Sequence, residues 1–157
     1  MFFFNKKKND KISVFSPCNG EFIKQESIND SVFSSGMVGI GFAIKPSENT
    51  IYAPMDGEIA MVFPTKHALG FKCKDNVECI VHIGVDTVKL NGEGFSVLVN
   101  EGDVVKAGQP LVKVDFDKVR SSGYHDDVIV VLQNTKSFDL NSTFKTVKAN
   151  ELIATCE

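Results

Sequence analysis

The most constraining feature of the chain is its punctuation. Short β-branched and aromatic runs alternate with Gly, Asn, Asp and Pro at the intervals typical of all-β domains; they are KISVFSP, VGIGFAIKP, NTIYAPMDG, GEIAMVFP, VECIVHIG, FSVLVNEGD, PLVKVDF and DVIVVLQN. Helical periodicity is confined to one or two turns around Asp115 to Ser121. The pattern predicts an all-β fold, an antiparallel β-sandwich or partly closed barrel with at most short helical turns. Two stretches echo each other: SPCNGEF from Ser16 and APMDGEI from Ala53 carry Pro, Gly and Glu at matching places. A duplicated strand-turn-strand unit would produce this echo, and so would good turn chemistry used twice.

At 157 residues, 43% apolar and 24% charged, the chain suits one soluble domain with its own core. Its 17 basic and 20 acidic residues give a net charge of -3, and Arg120 is its one arginine. Nucleic acid, which needs a concentrated basic face, is not an expected partner. No apolar run approaches the roughly 20 residues that span a bilayer. The start, MFFFNKKKNDK, has its charges after its apolar triplet, the wrong order for a secretory signal, so a cytoplasmic protein is expected. Residues 1–12 read as a flexible tail and 13–157 as the single domain. In a sharper reading, Phe2 to Phe4 insert at a membrane surface while Lys6 to Lys8 meet anionic lipid, a weak contact made by residues 1–10. Cys18, Cys73, Cys79 and Cys156 are scattered without a C-x-x-C and are expected as reduced thiols.

Two of the three histidines lie in TKHALGFKCKDNVECIVHIGVD, His67 in a turn and His82 inside an apolar strand. Alternation along VECIVHIG places Glu78, Ile80 and His82 on one face and Cys79, Val81 and Ile83 on the other. His82 and Cys79 therefore point apart, which weighs against a zinc cluster of His67, Cys73, Cys79 and His82. Gly84 stands where a second imidazole of an H-x-H pair would be, which disfavours a zinc peptidase. A lone histidine in an apolar strand is ordinarily structural, but the context here is unusual. Thr65, two residues before His67, is placed to hydrogen-bond an imidazole and fix its tautomer. Gly84 lets the backbone approach the His82 ring, so that a carbonyl can hold one nitrogen and leave the other free as a nucleophile. Two such imidazoles would suit reversible phosphoryl transfer. His125 reads as a solvated loop residue, and Asp126 and Asp127 as a charged turn.

VHIGVDTVKLNGEGF, together with PTKHALGF, APMDGEI, VGIGFAIKP and VNEGDVVKAGQPLVKVDFD, closely resembles the glucose-type IIA component of the bacterial phosphoenolpyruvate-dependent sugar phosphotransferase system. The likeness runs from about Ser13 to Glu157. It implies a β-sandwich built around a duplicated motif, which favours the duplication reading of the Pro-Gly-Glu echo. It also implies that His82 accepts a phosphoryl group on Nε2 from the phosphohistidine carrier protein and passes it to a cysteine of a IIB domain. His67 would bond the phosphoryl oxygens, Thr65 would orient His67, and the Gly84 carbonyl would pin the other nitrogen of His82. By the same likeness, Asp30 and Asp86 form an acidic rim, and Val32, Phe33, Val38, Phe63 and Val88 form an apolar docking surface. No metal or cofactor is implied.

The resemblance is weaker along SSGYHDDVIVVLQN, where relatives often carry a proline in place of Asp127 and His125 has no counterpart. Two other classes remain in view. One is a regulatory module that binds target proteins according to phosphorylation state. The other is a biotinyl or lipoyl carrier, suggested by GDVVKAGQPLVKV alone, although the lysine-bearing tight hairpin tip of such domains is missing. Glucose, N-acetylglucosamine, β-glucosides, sucrose and trehalose are all compatible cargoes. The initiating methionine and the ELIATCE ending suggest a free protein rather than a domain of a longer permease, and a monomer is the favoured state.

Overall fold

The structure is a computed structural model that describes residues 11–157; the Phe2–Phe4 and Lys6–Lys8 expectation lies outside the described residues. The described residues form fourteen short strands, two short α-helices and three single turns of 3-10 helix. The strands are β1 Ile12–Phe15, β2 Gly20–Lys24, β3 Ile40–Pro46, β4 Thr50–Tyr52, β5 Gly57–Val62, β6 Ala68–Lys72 and β7 Glu78–Ile83. They continue with β8 Phe95–Val97, β9 Val104–Val105, β10 Pro110–Val114, β11 Val128–Gln133, β12 Phe138–Leu140, β13 Thr146–Val147 and β14 Leu152–Cys156. Helix α1 is Ser31–Ser34 and α2 is Phe116–Ser121. β1 thus begins at Ile12, inside the tail expected through residue 12, where Ile12 pairs with Cys156.

An eight-stranded sheet, β13-β2-β3-β11-β7-β6-β5-β9, packs against two three-stranded sheets, β1-β14-β12 and β4-β10-β8, and every pairing is antiparallel. The sheets stay open, so the sandwich expectation holds and barrel closure does not occur. The sequence shows why β11 takes the centre. Val128 to Leu132 is a continuous apolar run with both faces buried, unlike the alternating β7 beside it. One face of the large sheet meets the main core, where Phe42, Leu69, Phe71, Val81, Val130 and Leu132 pack under the small sheets. The other face, through Ala43, Ile129 and Val131, packs beneath Ile28, Phe33 and Val85.

The Pro-Gly-Glu echo is a structural repeat. The Phe15 N–H donates to the Pro54 carbonyl (2.7 Å), and the Tyr52 N–H donates to the Pro17 carbonyl (2.7 Å), so the two turns bond each other reciprocally. Asn19 Oδ1 accepts from the Ala149 N–H as Asp56 Oδ1 accepts from the Ala107 N–H. β13 caps β2 with Val147 opposite Gly20, as β9 caps β5 with Val105 opposite Gly57. The two halves of the large sheet are thus related by an approximate two-fold lying between β11 and β7. The stretch that suggested a biotinyl or lipoyl carrier forms no hairpin: β9 pairs with β5, whereas β10 crosses to pair with β4 and β8.

Sequence periodicity places the turn of helix around Asp115 to Ser121 correctly. Asp115 caps α2 by accepting from the Lys118 N–H, the standard N-terminal signal. Helix α1 escapes it, because four residues carry no period; its cap, Asp30, accepts from the Val32 N–H at 2.9 Å.

Candidate functional site

β7 lies between β6 and β11, which sets His82 opposite Ala68 on one side and Ile129 on the other. Alternation turns Cys79, Val81 and Ile83 into the main core and leaves Ile80 and His82 on the opposite face, as expected. His67 ends the β5–β6 connection, one residue before β6, and its carbonyl accepts from the Ile83 N–H (2.7 Å). That connection turns through Lys66, which sits at φ 64°, and the Lys66 N–H closes it on the Phe63 carbonyl (2.7 Å). The turn and the β6–β7 ladder together bring the two imidazoles edge to face, with ring centroids 5.0 Å apart and an interplanar angle of 85°.

Each ring is held by one nitrogen. His82 Nδ1 lies 2.8 Å from the Gly84 carbonyl oxygen, which accepts only, so Nδ1 carries the proton and Nε2 keeps its lone pair. His67 Nδ1 lies 2.8 Å from the Thr65 hydroxyl. Only glycine suits position 84, which sits at φ 80°, because a Cβ there would collide with the Thr87 side chain and press within 3.0 Å of the His125 carbonyl oxygen. The loop around it is pinned on both sides. The Gly84 N–H donates to the Asp127 carbonyl (2.7 Å), the Val85 N–H donates to the His125 carbonyl (3.1 Å), and the buried Thr87 hydroxyl donates to the Ile83 carbonyl.

Apolar rings wall the pair. Phe33 lies 4.9 Å from His82 between centroids, and Phe63 lies 5.7 Å from His67. Burial, joined by the neighbouring His67, pushes the His82 imidazolium down from 6.5 to about 4, against weaker upward pulls from the Gly84 carbonyl, Asp30 and Asp86. Burial lowers His67 as well, opposed by a hydrogen bond to the Thr65 backbone. Both shifts favour the neutral ring, and Asp30 and Asp86 act on His82 as nearby charges.

The structure thus brings His67, His82, Thr65, Gly84, Asp30, Asp86, Phe33 and Phe63 together. Val32 and Val88 stand 45% and 46% exposed on the rim, and Val38 is half-buried against the second core. Phe33 differs from the docking surface expected of it: it is buried, its ring spent on His82. A cavity of about 830 Å³ lined by Asn19, Lys45, Ser47, Lys148 and Glu151 includes none of these residues. Among the described residues, no group of three or more His, Cys, Asp or Glu has the geometry to hold a metal ion. All four cysteines are free, and burial raises every thiol, Cys73 to about 12.

The charged-turn reading of Asp126 and Asp127 is corrected. Both are 3% exposed. Asp126 faces the main-core side and accepts from Arg120 Nε (2.8 Å) and Lys45 Nζ (3.2 Å). Asp127, on the histidine face, accepts from the Asn29 N–H and side-chain amide, each at 3.4 Å, and so reaches the loop that carries Asp30. Local sequence cannot separate a buried acid from a turn acid, because the partners lie up to 98 residues away. His125 is exposed, as expected.

Residues 12–138 match the family described as phosphoenolpyruvate-dependent sugar phosphotransferase system, EIIA 1. The chain belongs to that family. EIIA components of this system are phosphotransferases, and the chain is an EIIA component by descent. It is 44% identical over 117 residues to a glucose-specific EIIA component of Staphylococcus epidermidis, covering 74% of this chain and 70% of the relative. It is 43% identical over 129 residues to a glucoside-specific EIICBA component of Staphylococcus carnosus, a match that covers 81% of this chain but only 18% of that longer protein. The solved glucose permease IIA from Mycoplasma capricolum superposes with a TM-score of 0.87 at 37% identity, over 99% of each chain. Among the described residues, no helix is long and apolar enough to cross a membrane.

Proposed function

We propose that this EIIA component carries the phosphoryl group on His82 Nε2. The observation that carries the reading is the 2.8 Å bond between His82 Nδ1 and the Gly84 carbonyl, which leaves the Nε2 lone pair as the free nucleophile beside a second neutral imidazole. The Nε2 lone pair attacks the phosphorus of a phosphohistidine on the carrier protein. A bond from Nε2 to phosphorus forms as the donor P–N bond breaks, and that bonding pair stays on the donor imidazole. No proton has to move: Nδ1 keeps its hydrogen, and the Gly84 carbonyl meets the positive charge growing on the ring. With the Thr65 hydroxyl donating to His67 Nδ1, the His67 proton sits on Nε2, a neutral donor for the phosphoryl oxygens where charge spreads in the transition state. Transfer to a cysteine of a IIB domain reverses the bond changes at His82.

The apolar walls at Phe33 and Phe63 exclude water from the P–N bond once a partner docks on Val32, Val38 and Val88, so the group is passed on rather than hydrolysed. Asp30 and Asp86 would face basic groups on both partners. The sugar we assign is glucose or a glucoside, the cargo in the names of the relatives, and the reaction belongs in the cytoplasm, where the phosphoryl donor is made.

Incubation with phosphoenolpyruvate, enzyme I and the carrier protein, followed by intact mass, tests the reading. One acid-labile phosphoryl group on the wild type, absent from His82→Gln and present on a His67→Gln variant that cannot pass it to a IIB domain, is the expected result. A wild type that gains no mass would end it.

A further inference from the structure

We propose that Gln25 is a positioning residue for this reaction: its side-chain amide fastens the segment that presses the Phe33 ring onto His82. The proposal rests on the assignment of His82 as phosphoryl acceptor.

The segment from Ile28 to Ile40 crosses the histidine face of the large sheet and brings Asp30, Val32, Phe33 and Val38 to the site. Its one regular element is α1, four residues long, and a single turn has no stability of its own. Something else must hold it. The β2–β3 ladder ends at Lys24 opposite Phe42, and from there the Gln25 side chain continues what the backbone no longer does. Its Oε1 accepts from the Gly41 N–H (3.1 Å), while Nε2 donates to the Gly39 carbonyl (2.8 Å) and the Phe33 carbonyl (3.0 Å). The end of α1 and the entry to β3 are thereby tied to one side chain. The chemistry is specific: two carbonyls and one N–H call for two donors and one acceptor, which a side-chain amide supplies and a carboxylate or an apolar chain does not.

Two further anchors hold the same segment. Asp127 accepts from Asn29, and Gln133 Nε2 donates to the Val38 carbonyl (2.7 Å). Among the three, Gln25 bonds the backbone of Phe33 itself, the residue whose ring centroid lies 4.9 Å from that of His82. The groups that face His82 are Phe33, His67, the Gly84 carbonyl, Asp30 and Asp86, and the dominant influence on its proton affinity is burial. Releasing Phe33 admits water to the ring, eases its protonation and exposes a P–N bond formed there to hydrolysis.

The test is a histidine NMR titration of the unphosphorylated full chain. Gln25→Met keeps length and packing and removes all three bonds; the His82 midpoint is expected to rise by about one unit, a tenfold change in proton affinity. Gln133→Met, which frees Val38 alone, should leave it in place. Phe33→Ala must move His82 in the same direction, and adding Gln25→Met to Phe33→Ala should move it no further. An unchanged midpoint in folded Gln25→Met, an additive double variant, or a Phe33→Ala that leaves His82 alone would each overturn the proposal, the last whether or not Gln25→Met folds. The titration needs no phosphoryl donor, so a wild type that fails to take up phosphate would sink the functional assignment while leaving this result standing on its own.

Discussion

At the scale of the residue, the fold favours a neutral His82 imidazole and occupies one of its two nitrogens. The Gly84 carbonyl settles which nitrogen, and burial settles the charge. A stability signature follows. Unfolded, His82 protonates near its ordinary 6.5; folded, only near 4. Between those values the unfolded chain binds the extra proton, so folded stability is full above the unfolded value and falls as the pH drops through this window, by of order 3 kcal/mol for a shift of this size. His82→Gln has no such proton to bind. Its urea midpoint should therefore decline less than that of the wild type between pH 7 and pH 4, and parallel declines would show that the imidazole is not held neutral by the fold.

At the scale of the element, short pieces are stabilised by side chains that reach between them. Helix α2 is tied to the start of β11 by Arg120, whose Nε meets the buried Asp126 carboxylate, while Lys45 reaches the same group from β3. Burial alone would raise the Asp126 carboxyl; the hydrogen bonds from Arg120 and Lys45 outweigh it and hold the group below its ordinary value. Removing Arg120 leaves a buried charge short of a partner. Arg120→Met is expected to cost about 1–3 kcal/mol in chemical denaturation. Asp117→Asn, which touches only the 96% exposed end of the same cluster, should stay within about 0.5 kcal/mol. Equal effects at the two positions would mean that burial of Asp126 does not set the energy. The turn residues at Gly84 and Lys66 play the matching part for the histidines, since a strand and a turn meet at the right spacing only if both loops close tightly.

At the scale of the whole molecule, the approximate two-fold makes an energetic claim. Leu111 in β10 and Ile153 in β14 occupy corresponding places in the two small sheets, and both are fully buried. Leu111→Ala and Ile153→Ala should each cost about 2–5 kcal/mol, and by similar amounts; a tolerant site in one half would show that the repeat is one of shape and not of packing. Much of this molecule was legible from its residues: the all-β class from alternation and punctuation, the face of His82 from a period of two, the Thr65–His67 bond from a two-residue spacing, the Gly84 carbonyl on His82 from the family resemblance, and the helical turn around Asp115 to Ser121 from its period. These features are local, governed by the few covalent bonds between neighbours, and local rules read them. Burial of Asp126 and Asp127, the seating of Phe33 on His82 and the threefold grip of Gln25 were not legible. Each depends on which distant backbone a side chain meets after β2, β3, β7 and β11 assemble, and no period or spacing along the chain encodes that meeting. The bonds that orient the two histidines are made by adjacent residues, whereas the apolar wall around them exists only once the sheet has closed the distance.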